Sequence, residues 1–164
     1  MNNTDTVGIY FSGTGNTKFC LERFMAACKF SEDIYSIEMP ESAEQIKRHG
    51  FIVFAYPVYY SNLPKIVRDY ITANKDIFKN KEIYIISTMG LFSGDGTGCS
   101  ARFFKKYGAN IKGGLHIKMP DCIGDVKALK KSLEQNREIV KAAELKISKA
   151  AEKLLHGKPD KEGL

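Results

Sequence analysis

The sequence predicts an α/β fold in which a parallel sheet is covered by helices on both faces. Segments with strand character alternate along the 164 residues with segments whose apolar side chains recur at helical spacing. The strand candidate over Phe51 to Tyr56 is continuously apolar, as is typical of strands buried on both faces. Alternation of this kind implies parallel strands joined by right-handed crossovers. A chain of this length is expected to form one compact domain.

The first half of the chain contains three predicted strands and two predicted helices. Thr6 to Phe11 is rich in β-branched and aromatic residues and ends at a cluster of turn formers. Helical spacing follows over Thr17 to Cys28. The remaining predicted elements of this half are a short strand over Asp33 to Met39, a short helix over Glu41 to Arg48 and the apolar strand over Phe51 to Tyr56.

The second half continues the alternation. Its predicted elements are a helix around Ile66, Val67, Tyr70 and Ile71, a strand over Glu82 to Ser87, a helix over Ala101 to Tyr107 and a strand over Gly114 to Lys118. A long apolar stripe follows, formed by Val126, Leu129, Leu133, Val140, Ala143, Ile147, Ala150 and Leu154. The stripe predicts one long helix or two shorter helices broken near Asn136. We predict a domain over residues 1–156 and a frayed tail or linker over residues 157–164.

The composition excludes several classes of protein. Hydrophobic residues make up 43% and charged residues 27% of the chain, which argues against disorder. No apolar stretch approaches the roughly 20 residues of a membrane-spanning helix, and the first residues lack a secretion signal. We therefore expect a soluble cytoplasmic protein with no membrane partner. The cysteines have no metal-binding spacing and are expected to be reduced thiols; they are Cys20, Cys28, Cys99 and Cys122.

The net charge of +6 permits an acidic partner. Much of the excess lies in Val126 to Leu155, where eight Lys or Arg and four Glu are interleaved as on a solvated helix face. No basic stretch of the sequence is interleaved with aromatic residues that could stack on bases. Nucleic acid is therefore not an expected partner.

Loops that follow the predicted strands are the candidates for a functional site, because ligands of open parallel sheets bind beyond the carboxyl ends of the strands. The first loop is Ser12-Gly13-Thr14-Gly15-Asn16-Thr17. Its glycines let the backbone curl, its hydroxyls offer donors, and the following helix directs amides at an anion. Lys18 stands where a dinucleotide-binding loop needs glycine, and Thr14-Gly15 stands where an ATPase loop needs lysine. The loop predicts another kind of phosphate cradle; a tight turn that caps the helix is the alternative.

The loop after the third strand carries aromatic side chains between two prolines, over Tyr56-Pro57-Val58-Tyr59-Tyr60-Ser61-Asn62-Leu63-Pro64. Flat rings in a stiff loop suit a flat ligand, because they can stack on it and lose little conformational entropy. The residues expected to contact such a ligand are Pro57, Val58, Tyr59, Tyr60, Ser61 and Asn62. Core packing of the tyrosines, or a simple proline turn, is the alternative.

The Ser-Gly-Thr-Gly-Asn-Thr motif directly after a first strand resembles the phosphate-binding loop of flavodoxins, which hold flavin mononucleotide (FMN). The resemblance covers about residues 5–155 and implies a flavodoxin-like, doubly wound five-stranded sheet with the strand order 2-1-3-4-5. It also implies that FMN is the cofactor. The phosphate would lie against Ser12, Gly13, Thr14, Gly15, Asn16 and Thr17, and the flavin ring beside the tyrosine loop.

The loop after the fourth strand, Thr88 to Gly96, resembles the second flavin-ring loop of the same family. Its glycines would let the main chain approach the ring closely. The resemblance implies that the cofactor is also bound by Thr88, Met89, Gly90, Leu91, Phe92, Gly94 and Asp95. Phe92 would be the second aromatic partner of the ring. Asp95 could either cap the next helix or tune the ring.

Three segments resemble more narrowly the flavodoxin half of bacterial flavodoxin-ferredoxin fusion proteins: Tyr56 to Pro64, Met89 to Gly96 and Met119 to Asp125. In the last of these we expect Asp121 and Asp125 at a helix start and Cys122 as a packed thiol. The sequence has no Cys-x-x-Cys-x-x-Cys, so an iron-sulfur partner would be a separate chain or lie outside this sequence. Typical flavodoxins are acidic and carry a glycine after the third strand, whereas this chain is basic and has no glycine at positions 51–77.

The resemblance implies an electron carrier in which FMN does the redox chemistry and the chain supplies no catalytic or metal-binding residue. The alternative is an FMN-dependent reductase of the same fold, which takes hydride from NADH or NADPH and passes it to quinones. A flavin-free interaction domain would leave Ser12 to Thr17 unexplained. For the carrier we expect a monomer whose partner is an acidic redox protein, such as a ferredoxin or an iron-sulfur domain.

Overall fold

The structure is a computed structural model that describes residues 5–92, 94–120 and 131–164. Its strands are β1 (Thr6–Tyr10), β2 (Ile34–Ser36), β3 (Phe51–Pro57), β4 (Glu82–Met89) and β5 (Asn110–Lys118). They form one sheet in the order β2-β1-β3-β4-β5, and all neighbouring strands are parallel. The α/β fold and the strand order expected from the sequence are confirmed.

The helices are α1 (Asn16–Ala27), α2 (Ser42–Arg48), α3 (Lys65–Ala73), α4 (Gly96–Lys106) and α5 (Leu133–Leu155), with a 3-10 turn at Lys75–Phe78. Helix α4 begins five residues before the predicted start at Ala101, since its first turn of glycine and small polar residues shows no apolar spacing. Ser132 and Gln135 form a capping box at the start of α5, which continues unbroken through Asn136. Val126 and Leu129, which the sequence assigned to this helix, lie outside the described residues.

The sheet has a hydrophobic core on each face. On one face α1 and α5 cover the sheet, and the ring of Phe24 in α1 stacks on Tyr84 of β4 at 4.8 Å. On the other face α2, α3 and α4 cover it, and Phe104 of α4 meets Phe54 of β3 edge-on at 5.1 Å. Successive side chains of β3 point to alternate faces, so Val53 belongs to the first core and Phe54 to the second.

The register brings the carboxyl ends of four strands to one edge of the sheet. Tyr10 pairs with Ala55 between β1 and β3, and Pro57 pairs with Thr88 between β3 and β4. Met89 pairs with Lys118 between β4 and β5. The loops that follow these strands therefore meet at the same edge, as ligand-binding loops of open α/β sheets do.

The expectation of a frayed tail over residues 157–164 is wrong. The N–H of Gly114 in β5 donates to Asp160 O (2.8 Å), and the N–H of Glu162 donates to Gly114 O (2.9 Å). The Glu162 carboxylate accepts the N–H of His116 (2.7 Å), and one of its oxygens lies 2.8 Å from Lys146 Nζ. The sequence pattern did not predict this pairing, because residues 160–162, which lie beside the edge strand β5, are too few to show a strand periodicity.

Among the described residues, no helix is both long and apolar enough to cross a bilayer. The same residues contain no group of three or more His, Cys, Asp or Glu side chains that could hold a metal ion. Cys20, Cys28 and Cys99 are free thiols, and burial raises the pKa of Cys20 and Cys28 to about 12. Cys122, Asp121 and Asp125 lie outside the described residues.

Candidate functional site

The first loop of the site turns directly from β1 into α1. Ser12 Oγ accepts the N–H of Gly15 (3.1 Å), which closes the loop on itself. Gly15 occupies the N-cap of α1 with φ of 96°, a conformation that glycine adopts without steric cost. Amides in the first turn of a helix find no carbonyl within the helix, and the helix dipole adds partial positive charge there. The loop therefore presents backbone donors suited to an anion.

Two contacts tie the start of α1 to the carboxyl ends of β4 and β5. Thr17 Oγ1 lies 2.7 Å from Thr88 Oγ1 at the end of β4, and both side chains are buried. Asn16 Nδ2 donates to Pro120 O (2.9 Å), which follows β5. The start of α1 is thus fixed from two sides, so its amides are held in place before any ligand arrives.

The loop after β3 contains a tight turn with strained backbone. Tyr59 and Asn62 exchange two backbone hydrogen bonds of 3.1 and 3.0 Å. Between them, Tyr60 and Ser61 have φ of 49° and 60°, so the turn resembles type I′ without the glycine or asparagine that such turns favour. A non-glycine residue in this conformation costs about 1–2 kcal/mol, so the surrounding contacts must hold the turn.

The three tyrosines of this segment have different surroundings, which corrects their expected placement together on a loop. Tyr56 belongs to β3, is fully buried, and donates its hydroxyl hydrogen to Gly96 O (2.6 Å). Burial raises the pKa of Tyr56 well above its usual range. Tyr59 is 38% exposed and lies at the cleft, where its hydroxyl approaches Gly13. Tyr60 is fully exposed at the tip of the turn.

The loop after β4 packs against this turn. Asp95 donates its backbone N–H to Ser61 O (3.1 Å), and Gly94 lies so close to Ser61 that a Cβ on it would collide with that residue. Asp95 occupies the N-cap position of α4, but its carboxylate caps no amide. It instead pairs with Arg102, whose guanidinium holds the pKa of Asp95 below its usual range. The capping expectation for the Asp95 side chain is therefore wrong.

A single cleft brings together residues from all three predicted loops. It is lined by Ser12, Gly13, Thr14, Asn16, Thr17, Pro57, Val58, Tyr59, Thr88, Met89 and Gly90. Other predicted residues are close in sequence but are not part of this lining: Gly15, Tyr60, Ser61, Asn62, Leu91, Phe92, Gly94 and Asp95. Phe92 is 71% exposed and lies instead beside His116 and α5. The binding role of each of these residues stays a prediction.

Met119 and Pro120 also line the cleft, although neither is among the site residues predicted from the sequence. The signal that could have found them is topological. They follow β5, whose carboxyl end lies beside that of β4. Asp121 to Asp125, which continue this segment, lie outside the described residues.

The described lining of the cleft has a polar end and an apolar end. Hydroxyls of Ser12, Thr14 and Thr17 surround the start of α1, whereas Val58, Met89 and Met119 contribute apolar surface. No carboxylate, imidazole, amine or thiol is present in this described lining. The cleft can therefore hold a ligand with an anionic end and a flat apolar part, and Tyr59 is the only titratable side chain among its described lining residues.

Solved structures share this architecture over most of the present chain. A Megasphaera elsdenii flavodoxin matches with a TM-score of 0.63 at 21% identity, over 85% of this chain and 98% of that one. The Trp repressor binding protein of Bacillus subtilis matches with a TM-score of 0.60 at 16% identity, over 85% and 95%. Rubredoxin oxygen:oxidoreductase of Desulfovibrio gigas matches with a TM-score of 0.61 at 15% identity, over 94% and 37%. At these identities the likeness shows the fold alone.

No curated protein matches the chain by sequence. The model of the flavodoxin domain family matches residues 8–119, which is more than half of the chain. This range contains the Ser12–Thr17 loop, the loops after β3 and β4, the last three residues of β1 and all of the other four strands. On this match, supported by the strand order and the cleft, the chain belongs to the flavodoxin family.

Proposed function

We propose that the protein is an electron carrier that binds FMN in the cleft. The observation that carries the proposal is that the Ser12–Thr17 loop, at the N-terminus of α1, opens into the same cleft as Tyr59. A phosphate group fits the first feature, because backbone amides and hydroxyls donate to it. A flat aromatic ring fits the second, because it can stack on the phenol ring.

The residues present fit FMN in both charge and shape. Ser12, Thr14 and Thr17 would donate to the phosphate, and no described carboxylate in the lining would repel it. Tyr59, Met89 and Met119 would contact the apolar part of the ring. When bound, FMN supplies the electron transfer through its isoalloxazine ring. The chain would bind it, orient it and exclude water from part of it.

A carrier agrees with the described lining better than a reductase does. The lining residues that the structure describes include no acid or base besides the Tyr59 phenol, and a carrier needs none. A flavin reductase of the same fold remains the competing function. Steady-state assays with NADH and NADPH on the FMN-loaded protein separate the two: we expect negligible oxidation of either nucleotide, and rapid oxidation would favour the reductase.

Titration of the apoprotein with flavins tests the cofactor. We expect FMN to quench its fluorescence on binding and to bind several kcal/mol more tightly than riboflavin, because only FMN has the phosphate. Thr14→Ala should weaken FMN binding by about 1–3 kcal/mol and leave riboflavin binding unchanged. Thr72→Ala on α3, outside the cleft, is the matched control and should change neither affinity. Equal wild-type affinity for FMN and riboflavin would contradict the proposal.

For the partner, we propose an acidic redox protein such as a ferredoxin or an iron-sulfur domain. The net charge of +6 supports an acidic partner. Lys118 is exposed directly before the cleft residues Met119 and Pro120, and it has no ion pair among the described residues. Such a cation beside the cleft could steer an acidic surface towards it. A monomeric state and the cytoplasm stay predictions from the sequence.

A further inference from the structure

Thr17, the last residue of the Ser12–Thr17 loop, forms a hydroxyl pair with Thr88. Thr17 is the second residue of α1, and Thr88 is the penultimate residue of β4. Their oxygens are 2.7 Å apart, and the side chains are only 1% and 3% exposed. Both residues also belong to the lining of the cleft, so the buried pair lies beside the ligand site.

Counting hydrogens shows that the pair is incomplete by itself. Each threonine hydroxyl carries one hydrogen, and their mutual bond uses one of the two. Thr88 is fixed by its strand, because its carbonyl accepts the N–H of Val58 (2.8 Å) and β4 is paired on both sides. The second hydrogen of the pair therefore remains for an acceptor in the cleft, and an anion at the start of α1 is the strongest acceptor for it.

We propose that Thr88 is a positioning residue for phosphate recognition. It donates its hydrogen to Thr17 Oγ1, so that the Thr17 hydrogen is left to donate to the phosphate. This orientation is favoured when an anion is bound, because each hydrogen bond in a chain polarises the next. Thr88 therefore strengthens binding of the phosphate end without touching it. The inference rests on the proposed function, since FMN supplies the phosphate.

Thr88→Val tests this role, because it removes the hydroxyl while keeping a branched side chain of similar size. We expect FMN affinity to fall about 3- to 10-fold and riboflavin affinity to stay unchanged, since riboflavin has no phosphate. Thr88→Ser, which keeps the hydroxyl, should bind FMN in preference to riboflavin as strongly as the wild type does. Inorganic phosphate should also protect the wild-type apoprotein against thermal unfolding more than it protects Thr88→Val.

The double variant separates positioning from direct contact. If Thr88 acts through Thr17, Thr88→Val should cause no further loss of FMN affinity in a Thr17→Val background. Equal losses for FMN and riboflavin, an additive double variant, or an unchanged Thr88→Val would each overturn the inference. If Thr88→Val fails to fold, Thr88→Ala takes its place, with Thr88→Ser as the folded reference. A wild type without preference for FMN would overturn the proposed function as well, so the two failures are distinguishable.

Discussion

Tyr56 and Tyr59 are three residues apart and have opposite surroundings. Tyr56 is the last fully buried residue of β3, and its hydroxyl binds the start of α4 through Gly96 O. Tyr59 lies past the end of the strand and meets Phe11 edge-on, with ring centroids 6.4 Å apart. Tyr56 therefore stabilises the fold, whereas Tyr59 is available to a ligand in the cleft.

The two tyrosines give a matched pair of substitutions. Tyr59→Ala should weaken FMN binding by about 1–2 kcal/mol, because the contact between the two rings is lost, with little change in the melting temperature of the apoprotein. Tyr56→Phe should destabilise the apoprotein by about 1–3 kcal/mol, because Gly96 O loses a buried donor. Flavin titration and thermal melting measure the two effects. A large fall in apoprotein stability with Tyr59→Ala would mean that Tyr59 is a core residue and not a ligand contact.

At the scale of elements, β5 depends on a segment from the end of the chain. Asp160 and Glu162 pair with Gly114, and the Thr97 hydroxyl of α4 donates to Glu162 O (2.7 Å). The segment thus links the outer edge of β5 to the first turn of α4, the helix that follows the loop after β4. Backbone groups of edge strands left unpaired attract other chains, so this pairing also protects the sheet edge.

Gly114 is the position that allows this close pairing. A Cβ there would lie 2.8 Å from Glu162 O and 3.1 Å from Leu164 Cγ. Gly114→Val should therefore displace residues 160–164, seen as faster hydrogen exchange of the Glu162 amide and of the His116 amide. Gly157→Ala is the control: its φ of 71° is strained, but no atom lies within 4 Å of the new Cβ. The pairing would be unimportant if Gly114→Val left both amides as protected as in the wild type.

For the whole molecule, the position of the cations matters more than their number. Lys47 and Arg48 end α2, and Lys105 and Lys106 end α4, where they complement the helix dipoles. Helices of a parallel α/β fold end near the amino ends of the strands, opposite to the cleft. These four cations therefore stabilise helix ends away from the site, whereas Lys118 lies directly before the cleft residues Met119 and Pro120.

Lys118 should accordingly dominate steering of an acidic redox partner. With a reduced acidic ferredoxin as donor, the electron-transfer rate should fall steeply with added salt, because screening acts over about 8–10 Å. Lys118→Gln should lower the low-salt rate and flatten its salt dependence. Lys79→Gln, exposed at the opposite edge of the sheet, should change neither. A rate that does not depend on salt would contradict the proposed acidic partner.

The sequence by itself determined the architecture and the first loop of the site. Continuous apolar runs alternating with helical spacing leave few arrangements other than a parallel sheet covered on both faces, because every apolar face must be buried. The Ser12–Thr17 motif likewise specifies its own local shape, since glycine and hydroxyl residues close the loop over a few positions. Both signals come from residues close together in the sequence, so they can be recognised without the tertiary structure.

Only the tertiary structure decided which residues share the cleft and which serve the core. The Thr17–Thr88 pair joins positions 71 residues apart, and its contact depends on the register of the sheet. The same holds for Pro120 beside Asn16 and for Glu162 beside His116. Tyr56 and Tyr59 are the same residue type in the same short segment, and their burial differs because β3 ends between them. Side-chain direction and long-range contact follow from how the elements pack, which local patterns do not encode.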